Sequence, residues 1–474
     1  HAPAVAVRRV HLRWRGSLSP TRLILGDAWE RGYGDLEWRG WVPDRIMPWY
    51  LATHDGSLTH AYGVRTGAGA FCFWQADPGG LSLWADVRSG GAGVELGERL
   101  LPVCEVVCRA GRAGESAHAA LHAFCRQMCP KPLLPPHPVY GSNDWYWAYG
   151  KNSAETALAD AEHIVELSPA GGNRPFSVID DGWQPIRGEA KAGVGSWDRG
   201  NEKFPDLPGL AARIRRAGAR PGLWIRPLQA PAEAPDSWRL PRDRTVLDPT
   251  VPGVLEKVAG DIARLREWGF ELIKHDYTTY DLFGRFQMGS ALTREGWSFA
   301  SGPGRTTAEV IAELYRAIRA AAAGSLVIGC NTVSHLSAGQ FEICRVGDDT
   351  SGTEWARTRK MGVNTLAFRG PQHGAFYVAD ADCVGVTNAV PWALNRQWLD
   401  LLARSGTMLF VSLAPDALGA AERSDLKAAL ALAADPHPLA EPLDWQRTVT
   451  PARWRLLGVE RSYHWVGEDG VGPP

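Results

Sequence analysis

From Tyr140 onward, strand-like and helix-like segments alternate with a regularity that few folds accommodate. Ser153 is a plausible N-cap for the helical pattern "AETALADAEHIVELSP", which leads to the apolar run "PFSVIDD". "LPGLAARIRRAGA" leads in the same way into "RPGLWIRP", and "VPGVLEKVAGDIARLREWG" into "FELIKHD". "TTAEVIAELYRAIRAAAAG" leads into "SLVIGC", and "FEICRVGDD", "VNTLAFRG" and "GTMLFVS" supply further strand candidates. About eight such units in roughly 300 residues fit a (β/α)8 TIM barrel, within the α/β class, better than a doubly wound sheet. No G-x-G-x-x-G turn follows the first strand, which weakens a dinucleotide-binding alternative.

The flanks read differently. Residues 1–130 are short alternating runs such as "VRRVHLRWRG", "LTHAYGVRTG", "AFCFWQAD" and "LSLWADVRSG", broken by Gly, Asp and Pro, and suit an N-terminal β-sandwich closed by the helix "SAHAALHAFCRQM". The Pro-rich "CPKPLLPPHPVYG" marks a boundary, because it can continue neither a helix nor a central strand. The barrel is expected over 138–436. Residues 437–474, with "ARWRLLGV" and "RSYHWVG", return to short strands and read as a small or truncated C-terminal β-domain.

Composition narrows the class of function. A formal net charge of -1 offers no field for nucleic acid or an anionic membrane, and no run approaches ~20 unbroken apolar residues. The chain opens without an initiator Met or a signal-like n-region and h-region, which is compatible with a removed leader; the compartment stays open, a cytoplasmic place being favoured over a secreted or periplasmic one. Oligomeric state is not legible. Cys104/Cys108 and Cys125/Cys129 have a spacing of four, but nothing beside them completes a metal site, so buried free thiols are expected, with neither metal nor cofactor. The 21 Trp divide about evenly between two readings, core filler and flat surfaces for sugar rings.

In a barrel the C-terminal ends of the strands form the active face. Those ends present Asp180 and Asp181, Arg226, then Lys274, His275 and Asp276, then Cys330 and Asn331, then Arg345, Asp348 and Asp349. Each aspartate alone also reads as an N-cap, a turn or a solvated strand end. Their arrival on one rim is what points to glycoside hydrolysis, where two carboxylates flank the scissile bond.

Six segments together resemble glycoside hydrolase family 36, the melibiase-type α-galactosidases of clan D. They are "YGSNDWYWAYGKNSAET", "FSVIDDGWQ", "FPDLPGLAARIRRAGARPGLWIRPL", "FELIKHD", "GCNTVSHLSAGQFEICRVGDDTSGTEW" and "YVADADC", in order, from about 140 to 410. The resemblance implies a retaining α-galactosidase with Asp276 as nucleophile and Asp349 as acid/base, Asp348 being the rival for the second role. It implies that Asp180, Asp181 and Lys274 bond sugar hydroxyls, and that Arg345 bonds the sugar near its 2-position or orients Asp349. Trp145, Tyr146, Trp183 and Trp224 would wall the pocket, and Cys330 would pack against the ring. The substrate class would be an α-galactoside oligosaccharide or glycoconjugate. An α-N-acetylgalactosaminidase or a raffinose-synthase-like transglycosylase are near alternatives, and a non-catalytic sugar-binding barrel is a remote one. "SNDW" and "DYTTYDLFGRFQMG" depart from the family pattern, as does Ala381, where Pro is usual.

Strand alternation adds one reading independent of the resemblance. Lys274 and Asp276 lie two apart and share a face, so the ammonium is expected to keep Asp276 ionised, while His275 points away. Asp349, by contrast, must hold a proton near neutral pH to act as an acid.

Overall fold

The structure, a computed structural model, describes residues 5–19, 22–185, 197–289 and 294–466. The end of the expected C-terminal segment, 467–474, lies outside the described residues.

Nine short strands, all parallel, form one sheet. In chain order they are Tyr140–Asn143, Phe176–Ile179, Arg220–Ile225, Leu272–His275, Leu326–Gly329, Ile343–Arg345, Val378–Asp380, Val384–Val386 and Leu409–Leu413. Val378–Asp380 pairs with Ile343–Arg345, whereas Val384–Val386 pairs with Leu409–Leu413, which in turn pairs with Tyr140–Asn143. The two short pieces are therefore one barrel strand interrupted at Ala381–Cys383, and counting them as one gives a closed eight-position (β/α)8 ring. The Met408 N–H donates to the Ala379 carbonyl at 3.4 Å and helps close the seam. At the interruption Asp382 takes φ 76°.

The strands are apolar runs rather than alternating ones because helices cover their outer face and side-chain layers fill the interior. Helices Ala154–Leu167, Leu207–Ala217, Pro252–Glu267, Thr307–Ala321 and Trp392–Arg404 fall where periodicity predicts helix or, for the last, between strand candidates. Ser153 caps the first of them in a full capping box with Thr156, a feature worth about 1 kcal/mol.

"VNTLAFRG" is not a strand. Asn364–Arg369 is helical and continues a run that begins at Trp355, with a π-helical turn over Arg359–Val363. A short buried apolar segment carries no period by which to tell the two apart. Here the polar residues decide it. Asn364 Nδ2 donates to the carbonyls of Leu36 at 2.8 Å and Val449 at 2.7 Å, and Arg369 reaches Asp27 and the Glu30 carbonyl, so the segment staples distant parts of the chain together.

Before the barrel lie two antiparallel four-stranded sheets built from strands between Arg9 and Arg109, followed by the helix Ala117–Met128. After it comes a three-stranded antiparallel sheet, Glu441–Pro442, Arg453–Leu456 and Val459–Ser462. All eight cysteines are free; Cys108 is exposed and Cys104 half-buried, so not all are the buried thiols expected. Among the described residues no helix is long and apolar enough to cross a membrane. No group of three or more His, Cys, Asp or Glu among them is placed to hold a metal.

Candidate active site

The fourth barrel strand, Leu272–His275, is fully buried, and its alternation sorts the polar end as expected. His275 lies outside the ring between Tyr315 and Phe341, with its Nε2 on the Thr278 hydroxyl. Burial pushes its imidazole down to about 3, so it is a neutral packing group. Lys274 faces inward, but its Nζ lies 2.5 Å from Asp180 Oδ2, not against Asp276. Burial disfavours the ammonium, yet the adjacent Asp180 carboxylate holds it well above its ordinary range.

Asp276 is held instead by two N–H donors. The Trp224 indole donates to Oδ2 at 3.1 Å, and the Tyr277 backbone N–H donates to Oδ1 at 2.8 Å. The second contact depends on Tyr277 adopting φ 64°, a left-handed conformation that turns the chain sharply after the strand. For a non-glycine residue that costs on the order of 1–2 kcal/mol, and such strain clusters at functional sites.

The ends of the first and second strands form a buried polar block. Asp180 Oδ2 also accepts from Asn143 Nδ2 at 2.9 Å, and the Asp180 backbone N–H donates to Asp144 Oδ1 at 2.8 Å. Asn152 Nδ2 binds the other Asp144 oxygen at 2.9 Å. The departing "SNDW" residues therefore grip Asp180 from behind. Burial, reinforced by Asp180, pushes the Asp144 carboxyl up to about 7. Asp181 is also pushed up by burial, against an opposing bond from Gln184 Nε2 at 2.5 Å.

The sixth strand delivers Arg345, which is buried, with Nη2 3.1 Å from Asp349 Oδ1 and 3.0 Å from Asp382 Oδ2, and Nη1 3.6 Å from Cys330 Sγ. A second guanidinium reaches the same aspartate from far away in sequence. Arg31 Nη1 lies 3.3 Å from Asp349 Oδ1, and its Nη2 lies 2.7 Å from Asp348 Oδ1. Asp348 is further engaged by Arg357 Nη2 at 2.8 Å. Burial pushes the Asp349 carboxyl up, but Arg31, Arg345 and Lys274 together outweigh it and bring it to about 2. Asp349 is thus held as a carboxylate, whereas an acid needs a proton.

Trp145, Asp180, Asp181, Trp224, Lys274, Asp276, Tyr277, Cys330 and Asp349 line one small cavity, with about 330 Å³ of free space including its mouth. Burial pushes the Cys330 thiol well up, so it presents a neutral wall. The other expected residues stand behind this wall. Trp183 is fully buried, and its indole N–H donates to the Trp224 carbonyl at 2.9 Å. Tyr146 is buried with its hydroxyl on Asp382, and Asp348 is taken up by its two arginines. Arg226 pairs with Asp281 at 2.5 Å and lies over the Tyr277 ring, 4.4 Å from its centroid. Asn331 ties Glu30 to the Tyr280 backbone. Arg31, Tyr277 and Asp382 were not singled out from the sequence; only the placement of Tyr277 next to Asp276 carried any signal.

An α-galactosidase from Thermus thermophilus, solved with p-nitrophenyl α-D-galactopyranoside, superposes with TM-score 0.66 over 96% of this chain and 93% of its own, at 18% identity. The same enzyme solved with stachyose gives TM-score 0.64 and 19% identity over 89% of this chain and 94% of that one. The chain has the fold of the family-36 α-galactosidases. A family-36 α-galactosidase from Geobacillus stearothermophilus gives TM-score 0.60 at 15% identity over 90% of this chain, which spans 61% of the length of that enzyme. No protein-family profile matches the chain, and no curated protein does. At these identities the shared property is the α-galactosidase fold.

Proposed function

We propose that this chain is a retaining α-glycoside hydrolase that removes terminal α-linked galactose through a covalent glycosyl-aspartate. The observation that carries the reading is the single cavity faced by Asp276 from the fourth strand and Asp349 from the sixth, with the Lys274–Asp180 pair and the Trp145 and Trp224 indoles on its other walls. The fold shared with α-galactosidases, some solved with p-nitrophenyl α-galactoside or stachyose, supports galactose as the sugar.

Asp276 serves as the nucleophile. Two N–H donors aim it while leaving it half-buried, and no cation among the described residues pairs with it tightly enough to blunt attack on the anomeric carbon. Asp349 serves as the acid and then the base. Its carboxylate form suits the second step, activation of water. To serve in the first step it takes a proton against the pull of Arg31 and Arg345, which places acid-assisted cleavage on the acidic side of neutral. Asp180 and Asp181 accept from sugar hydroxyls and Lys274 donates to another, while Arg345 orients Asp349.

A panel of p-nitrophenyl α-glycosides, assayed with the native protein, Asp276→Ala and Asp349→Ala, tests this. Release from the α-galactoside, its loss in Asp276→Ala and recovery with azide as β-galactosyl azide are expected. Silence of the native protein on every α-glycoside sinks the enzyme reading, and an α-configured azide product from Asp276→Ala takes the nucleophile role away from Asp276.

A further inference from the structure

The residue that completes the Asp349 loop comes from the opposite end of the chain. Gly32 forms a parallel bridge with Gly347 just after the sixth barrel strand. Its N–H donates to the Val346 carbonyl at 2.7 Å, and its carbonyl accepts from the Asp348 N–H at 2.8 Å. Two residues earlier in that segment, Glu30 is fixed by Asn331 Nδ2 at 2.6 Å and by the Tyr33 hydroxyl at 2.8 Å, and its carbonyl accepts from Arg369 at 2.6 Å. Between these anchors the Arg31 side chain is only 5% exposed, with its guanidinium 5.0 Å from the Phe286 ring centroid and its two nitrogens on Asp348 and Asp349.

A guanidinium is rigid, forked and permanently charged, so one that is anchored by its backbone and bonded to two adjacent carboxylates fixes the direction of both. We propose that Arg31 is a positioning residue for Asp349, which holds the Asp348–Asp349 turn against the cavity and biases Asp349 toward the charged, water-activating form. The inference rests on the glycosidase reading and adds to it a control element that lies outside the barrel strands. In a double displacement the same carboxyl first gives a proton to the leaving oxygen and then takes one from water, so a cation at 3.3 Å opposes the first act and favours the second.

Charged and titratable groups that also face Asp349 are Arg345 from the end of the sixth strand, Lys274 from the fourth strand, Tyr146, and Tyr277. Asp382, across the shared Arg345, Asp348, already paired, and Asp276, Asp180 and Asp181, which line the same cavity, are the nearby acids. Of the cations, Arg31 exerts the largest Coulombic pull on the carboxyl, while Arg345 adds a hydrogen bond to its own pull.

Removing that charge should raise the pH at which Asp349 gives up its proton. In Arg31→Gln, the basic limb of kcat/KM for an unactivated α-galactoside should move upward by about 1–3 pH units, the range for loss of one opposite charge at this distance. Arg31→Lys, which keeps the charge, should restore most of the native limb. Thermal melts of each variant show that the fold survives. A uniform loss of rate at all pH values with an unmoved limb in Arg31→Gln overturns the proposal, as does failure of Arg31→Lys to differ from Arg31→Gln. Selective ¹³C-carboxyl labelling gives a readout independent of turnover: the resonance lost in Asp349→Asn should titrate at higher pH in Arg31→Gln than in the native protein. Identical titration in the two refutes the hold on Asp349 even if the native protein cleaves galactosides. A displaced titration in a protein inactive on every α-glycoside sustains the hold while sinking the glycosidase reading.

Discussion

Replacing Trp224 by Phe isolates the bond that aims Asp276. Trp224 is in register with Lys274 on the neighbouring strand, and its indole N–H sits 3.1 Å from Asp276 Oδ2. Phe keeps an aromatic ring in the wall, where Tyr277 and Trp197 meet the indole edge-on at centroid distances of 6.3 and 5.9 Å, but it removes the donor. A hydrogen bond to a charged group is worth about 1.5–3 kcal/mol when its loss leaves the charge dry. Asp276 is half-buried and keeps the Tyr277 N–H on its other oxygen, so water can replace part of the loss. That places the effect near the lower end, about 1–2 kcal/mol, or roughly a 5–30-fold fall in kcat/KM. The assay is steady-state hydrolysis of p-nitrophenyl α-galactoside, with Trp145→Phe as the control that trims the same cavity without touching a bond to Asp276. A Trp224→Phe enzyme within twofold of native (~0.4 kcal/mol), or one that falls no further than Trp145→Phe, refutes the assignment of the indole as the carboxylate's anchor.

Lys274→Met leaves the buried Asp180 carboxylate, among the described residues, with Asn143 and the Asp181 backbone N–H as partners, and should cost about 3–5 kcal/mol in denaturant unfolding along with most of the activity. Asp348→Asn loosens Arg31 and Arg357 without removing a lining group, so it should retain more kcat than Asp349→Asn; equal losses would move the acid/base role proposed for Asp349 toward Asp348. Asp349, drawn down to about 2 from an ordinary value of 3.8, contributes stability that is present above the ordinary value and lost as pH falls through about 2. The melting-temperature difference between native protein and Asp349→Asn should therefore shrink across that acid window and stay flat above it.

Much of this site is legible in one dimension. A buried parallel strand is an unbroken apolar run, so Lys274 and Asp276 advertise its end, and a side-chain period of two puts both on the inner face and His275 on the outer. The same logic marks Asp180, Asp181, Arg345 and Asp349. The aromatic residues were harder: Trp145 and Trp224 reach the cavity, whereas Trp183 and Tyr146 prop up what does, and no local pattern separates a wall from its buttress. The Trp surplus is divided in the same way, since Trp49, Trp74, Trp197, Trp398 and Trp454 are buried core.

What the chain's own order of residues determined is which groups arrive at the rim, because strand ends and alternation are short-range properties of the backbone. Who pairs with whom was decided only in three dimensions. Lys274 passes over Asp276, two residues away, for Asp180, 94 residues earlier, because neighbouring strands set side chains abreast while successive inward positions on one strand are stacked along it. Arg31 reaches Asp349 across 318 residues of sequence through a backbone bridge that no periodicity announces. Charge balance at a reaction centre depends on distances of a few ångströms, and those exist only once the ring is closed and the N-terminal segment is laid across its mouth.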